Sequence, residues 1–237
     1  MDNSKIAHHI SENFNKELED IRNKVLAMGG LVEEQIELAI KALTTGDMEL
    51  AESVIKQDND VDYFEMEIDA ECTQIIALRQ PAAFDLRLLL TVLRIINELE
   101  RIGDLAERIA KMAIYLSSKE GKSDHYLELQ HMAGLVKEML NGALDSFARM
   151  SVDDITEITG SDAQVDYEYA SIIRQLITQM MEDPRNITRS MDMLWTVRAL
   201  ERIGDHSRYI CEHLIYMVKG EDVRHLTQAE LEEKMKS

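Results

Sequence analysis

The chain has 237 residues, 26 Lys and Arg against 45 Asp and Glu, a net charge of −19, and only ten glycines and two prolines. Few tight turns are available, which excludes all-β folds, and 45% apolar residues lift it above a disordered composition. The acidity works against nucleic acid and anionic membrane surfaces, both of which need Lys and Arg.

In chain order, the first predicted helix carries apolar residues at Phe14, Leu18, Ile21, Val25, Met28 and Val32 and runs to about Leu43. A break at residues 44–47 separates it from a second helix holding Val54, Val61, Phe64, Ile68, Ile75 and Leu78. A third follows Pro81, with Asp85 expected as its N-cap. Its seam is Leu88, Val92, Ile95, Leu99, Ile102, Ala106, Ile109, Ala113 and Leu116, alternating steps of four and three. After a connection near residues 117–124, Met132, Val136, Met139, Ala143 and Phe147 mark a fourth helix. Val165, Tyr169, Ile172 and Leu176 mark a fifth. Pro184 and Asn186 start a sixth, with a seam through Met193, Thr196, Leu200, Ile203, Ser207, Ile210, Leu214 and Met217. The charged tail after Gly220 is expected to add one short helix or to fray.

The six helices are two copies of one unit. The Leu-Glu-Arg-Ile-Gly-Asp string at 99–104 recurs at 200–205, an offset of 101. Asp58 and Val61-Asp62-Tyr63 recur as Asp162 and Val165-Asp166-Tyr167, and the Met28–Glu34 pattern recurs at Met132–Glu138, both at an offset of 104. Three matches in one order define a duplicated unit with a three-residue deletion late in the second copy. Short connections make successive helices antiparallel neighbours. The expected fold is all-α, two tandem pseudo-symmetric three-helix bundles, with domains at residues 1–118 and 119–237.

Each unit carries two acidic pairs spaced i, i+4: Asp58/Asp62 and Glu100/Asp104, then Asp162/Asp166 and Glu201/Asp205. That spacing puts both carboxylates on one helical face, where like charges cost a few tenths of a kcal/mol. A cation offsets such repulsion, and all-oxygen ligation suits Mg²⁺, Mn²⁺, Fe or Ca²⁺. With Leu99 and Ile102 in the apolar seam, Glu100 and Asp104 face away from it. Buried di-iron bundles instead use inward Glu with Glu-x-x-His on two helices, and here that spacing occurs once, at Glu128 and His131, outside the four acidic pairs. The carboxylates therefore form a surface metal site or a partner-binding face, with helices two and three joining their acidic edges along a groove. Gly103 and Gly204 provide close helix approach or room beside a metal. Arg101 and Arg202 either neutralise neighbouring acids or are solvated. His206 and His213 share a face near Asp205, as auxiliary ligands or as satisfied histidines. Trp195 and the methionines are expected in core and interface packing. Asp85 and Arg87 mark a further candidate recognition patch. Cys72 and Cys211 are expected as free thiols in a reducing cytosol. No segment is long and apolar enough to span a bilayer, and no signal-peptide core follows the polar start.

The tandem 99–104 and 200–205 strings, the Gln80-Pro81-x-x-x-Asp85-Leu86-Arg87 segment and the Asp-x-x-Val-Asp starts resemble the PhoU family from about Phe14 to Gly220. The resemblance implies two three-helix bundles and metal bound by the eight carboxylates at 58, 62, 100, 104, 162, 166, 201 and 205, as Fe, Zn, Mn or Mg. It also implies no enzymatic activity. The implied function is a cytoplasmic, homodimeric negative regulator of the phosphate-starvation response. Such a protein couples the ATPase of the Pst phosphate transporter to a PhoR-type histidine kinase and damps uptake. The competing expectations are a metal-dependent enzyme or metal-binding helical protein, and a regulator of a different phosphate carrier.

Overall fold

The structure, a computed structural model, describes residues 3–117 and 126–236, with side chains at 13–117 and 127–236. The described residues form eight α-helices and no strand: α1 Asn3–Thr45, α2 Met48–Arg79, α3 Ala83–Ser117, α4 Tyr126–Arg149, α5 Ile155–Gly160, α6 Asp162–Glu182, α7 Ile187–Lys219 and α8 Gln228–Lys236. The all-α, two-bundle expectation holds. The connection expected near residues 117–124 lies almost wholly outside the described residues, as does the boundary at 118/119.

Local chemistry sets the breaks. Gly46 takes φ +73° after α1, a conformation only glycine adopts without cost. Asp47 then caps α2, its side chain accepting from the Leu50 N–H at 3.0 Å. Gln80 ends α2 in the left-handed region, and Ala83 opens α3 at φ 49°. Asp85 is therefore not the N-cap of α3. It lies in the first turn, where its charge faces the positive end of the helix dipole. Asp183 accepts from the Arg185 N–H in a 3-10 turn at Pro184–Asn186, and Asn186 precedes α7 without a side-chain capping bond.

Every seam residue expected on α3 and α7 is buried. Both helices also bury residues beyond the seam, such as Leu89, Ile96, Val197 and Ile215. Each packs within its own bundle and also against the other, so one apolar stripe is too narrow to cover both contacts. The two run antiparallel: Arg87, early in α3, donates to the Met217 carbonyl late in α7 at 3.2 Å. Arg87 is thus an inter-repeat strut, not part of a free recognition patch. Beside this seam α1 packs on α4. There Arg22 donates to the Ala148 carbonyl at 2.8 Å, and Lys137 pairs with Glu37. A Cβ on Gly29 would stand 2.7 Å from the Leu144 methyls, so this crossing rests on a bare glycine.

The second bundle departs from the first in its middle helix. The counterpart of the continuous α2 is divided at Ser161 into α5 and α6. The tail does not fray: α8 docks on α5 through Gln228, which donates to the Thr156 carbonyl at 2.9 Å, and buries Leu231.

Candidate functional site

The antiparallel packing of α2 on α3 brings their acidic edges together. Carboxylate oxygens of Asp58, Asp104 and Glu107 lie within 4.8 Å of one another. Asp62 and Glu100 stand a turn further along, and Glu65 and Asp62 both add to the repulsion that Glu100 feels. Burial, then the neighbouring Glu107, Asp104 and Asp62, push the Asp58 carboxyl up to about 6. Burial, then Asp104, push Glu100 up to about 6 as well.

Gly103 makes the approach possible. A Cβ there would sit 3.2 Å from both Asp58 Oδ1 and Gln35 Oε1 and 3.3 Å from Val61. The glycine thus serves close helix approach, one of its two expected purposes, and leaves room for the Asp58 carboxylate. Gln35 is fully buried, and its amide leans toward Asp58 and favours its charged form, yet neither amide atom completes a well-formed hydrogen bond. A buried amide without partners costs free energy. Three converging carboxylates and this neutral oxygen are a donor set for a hard cation. Lys111 sets its ammonium 2.5 Å from Glu107.

Glu107 was not among the expected ligands, which came from acidic pairs shared by both repeats. Residues 100, 104 and 107 share one helical face, and that periodicity alone would have found it. Its repeat counterpart is Arg208.

This exchange changes the second groove. The Arg208 guanidinium lies 3.1 Å from Asp162, 3.7 Å from Asp205 and 3.0 Å from Glu212. Arg202 approaches Asp205 at 3.5 Å and Arg198 holds Glu201 at 2.9 Å. Burial still holds Asp162 and Glu201 above the usual carboxylate range, opposed by these guanidiniums. Asp166 stays exposed. Gln35 is replaced by Met139, and a Cβ on Gly204 would meet neighbours only at 3.4 Å or beyond. The structure therefore brings together Asp58 and Asp104 with Glu107 in the first groove. In the second it brings Asp162 and Asp205 around an arginine.

His206 and His213 do not reach either groove. Both are buried at the α3–α7 seam, flanking Glu98: His206 Nδ1 is 2.6 Å from Oε2, and His213 Nε2 is 3.7 Å from Oε1. Burial would raise the Glu98 carboxyl, but the two imidazoles outweigh it and hold it at about 2. They are satisfied histidines joining the repeats. Trp195 is not in the core, being 63% exposed. Cys72 and Cys211 are free and buried, and burial pushes both thiols up to about 12, far from reactive.

A duplicated helical bundle with two outward acidic grooves defines the class of protein to which this chain belongs. The PhoU domain family model matches residues 25–113 and 129–214, and the chain belongs to the PhoU family. It is 46% identical over 233 residues to the phosphate-specific transport system accessory protein PhoU homolog of Pseudomonas aeruginosa, covering 98% of this chain and 96% of the relative. It is 44% identical over 232 residues to the phosphate-specific transport system accessory protein PhoU of Escherichia coli K12, covering 98% and 96%. The crystal structure of PhoU from Pseudomonas aeruginosa superposes with a TM-score of 0.85 at 46% identity, over 88% of this chain and all of that one. The phosphate transport system regulatory protein PhoU from Streptococcus pneumoniae does so at 0.82 and 30% identity, over 89% and 99%. No helix among the described residues is long and apolar enough to cross a membrane.

Proposed function

We propose that this chain is the accessory regulator of a phosphate-specific transport system and a negative regulator of the phosphate-starvation response. It works in the cytoplasm as a homodimer. It couples the ATPase of the Pst transporter to a PhoR-type histidine kinase, holding the kinase in its phosphatase-competent state when phosphate is plentiful. Such an adaptor acts by binding one state of a two-state partner more tightly than the other. The carrying observation is similarity to accessory proteins of that name across nearly the whole chain, at 46% identity over 98% of it. Deleting the gene is expected to raise a phosphate-starvation reporter in high phosphate. An unchanged reporter in a strain with an intact phosphate-sensing system overturns the reading.

The grooves are read as cation sites of unequal strength. Asp58, Asp104 and Glu107 form the primary site, with Gln35 as a neutral neighbour and Asp62 and Glu100 beside it. Mg, Mn, Fe or Zn would supply the positive charge that the crowded oxygens lack. Asp162, Asp166, Glu201 and Asp205 form the weaker one, because Arg208 already stands among them. Elemental analysis of protein purified without chelators or a histidine tag tests this. Metal content unaffected by Asp58→Asn with Asp104→Asn overturns it.

A further inference from the structure

The charge of this acidic molecule reverses locally at the α3–α7 seam. Between α3 and α7 runs a groove of about 720 Å³ lined by Arg101, Arg108, Lys111, Arg198 and Arg202, with Trp195 in its wall and Asp104 as its one acid. Lys111, Arg198 and Arg202 each meet a carboxylate, at 2.5, 2.9 and 3.5 Å. Arg101 and Arg108 are exposed and have no ion-pair partner within 4 Å among the described residues.

The groove is not a by-product of the duplication. Trp195 stands at the repeat position of Arg94. At that end of the seam Arg94 lies over the Tyr216 ring, 5.0 Å from its centroid, and Arg87 bonds the Met217 carbonyl. That end is closed by its own side chains. At the other end an indole replaces the guanidinium and is left largely in water.

We propose that this groove binds a nucleoside polyphosphate, its base stacked on Trp195 and its phosphates on Arg101, Arg108 and Arg202. Guanidiniums present forked donors that match phosphate oxygens, and an exposed indole is a stacking platform for a base. The volume falls within the range of small-molecule sites. A bare phosphate leaves the indole without a partner. A long acidic chain runs out of the groove onto the carboxylates of α2 and α3, where it is repelled. The site is separate from the coupling role but adjoins the first acidic groove, since Asp104 borders both, and it gives a regulator of transport a route to the nucleotide pool.

Trp195 is the only tryptophan in the chain, so its emission reports this groove alone. ATP and ADP are titrated with EDTA present, which keeps divalent ions off the acidic groove, and with excitation at the red edge where the base does not absorb. The expected result is saturable quenching that adenosine, inorganic phosphate, long-chain polyphosphate and poly-glutamate do not reproduce. Arg101→Ala with Arg108→Ala raises the Kd about tenfold or more, while Arg79→Ala, which removes a guanidinium paired with Glu17 elsewhere on the surface, leaves it unchanged. Equilibrium dialysis of Trp195→Phe and Trp195→Ala, each with an unaltered thermal transition, shows weaker binding only for the alanine. The proposal is overturned by no saturable response up to millimolar ATP, or by arginine variants that bind as the parent does. It is equally overturned by equal binding of phosphate, polyphosphate or poly-glutamate. Emission that follows protein concentration instead of nucleotide overturns it too, by placing a second copy in the groove.

Discussion

Glu107 and Arg208 occupy the same position in the two repeats and carry opposite charges. Glu107 completes a trio of carboxylates. Arg208 lies against Asp162 and Glu212 at 3.1 and 3.0 Å and fills the equivalent space with a guanidinium. The same groove thus crowds three carboxylates together once and once sets a guanidinium of the chain among its acids.

That relationship predicts an exchange. Lys111 and Glu212 are also repeat counterparts, so Arg208→Glu with Glu212→Lys copies the acidic trio and its lysine into the second groove at constant net charge, with Met139 still in place of Gln35. The double variant is expected to bind an additional equivalent of Mn²⁺ by elemental analysis. Arg208→Ala alone leaves Glu212, only 6% exposed, without its guanidinium, and should lower stability by about 2 kcal/mol in urea unfolding.

Asp58 gives a pH dependence of definite sign. Its carboxyl is raised from 3.8 to about 6, so the folded chain holds this proton more tightly than the unfolded chain does. The associated stability is present below about pH 4 and is lost as the pH rises through 6. In metal-free protein Asp58→Asn should therefore raise Tm at pH 7, and the gain should shrink toward pH 4. Thermal unfolding followed by circular dichroism at both pH values checks this. An Asn variant less stable than the parent at pH 7 contradicts it.

Gly103 and Gly204 should respond differently to the same substitution. Alanine is the better helix former by up to about 1 kcal/mol. At Gly204 the added methyl makes ordinary contacts at 3.4 Å or more, so Gly204→Ala should stabilise by about 0.5–1 kcal/mol. At Gly103 it meets two oxygens at 3.2 Å. Gly103→Ala should gain less or lose stability, and should weaken Mn²⁺ binding. Urea midpoints of the two variants, measured side by side, decide it.

Glu98 predicts the acid limit. Its carboxyl falls from 4.5 to about 2 in the folded chain, so the stability it contributes is present above about pH 4.5 and lost as the pH drops toward 2. Glu98→Gln should flatten the stability profile across that window. It should also lower stability at pH 7, because His206 and His213 then lack their anion.

The seams of α3 and α7 were legible because heptad spacing survives in any helix that packs lengthwise, as Leu99 and Leu200 show by their complete burial. The acidic groove was legible through its repetition, and for the same reason Glu107 was missed, since its counterpart is basic. The burial of His206 depends on Glu98, 108 residues away, a distance that no local pattern reports. Trp195 reads as core by composition, and only the opening between α3 and α7 exposes it. The start of α3 was displaced because Ala83 takes a left-handed backbone that no sequence preference suggests.

The α3–α7 seam also bears on how the molecule comes apart. The buried apolar residues of both repeats form one continuous cluster, from Leu18 in α1 to Leu231 in α8. Two copies of one unit thus share one core. Thermal denaturation should show a single transition, and either half expressed alone should associate or aggregate through the bared face of α3 or α7.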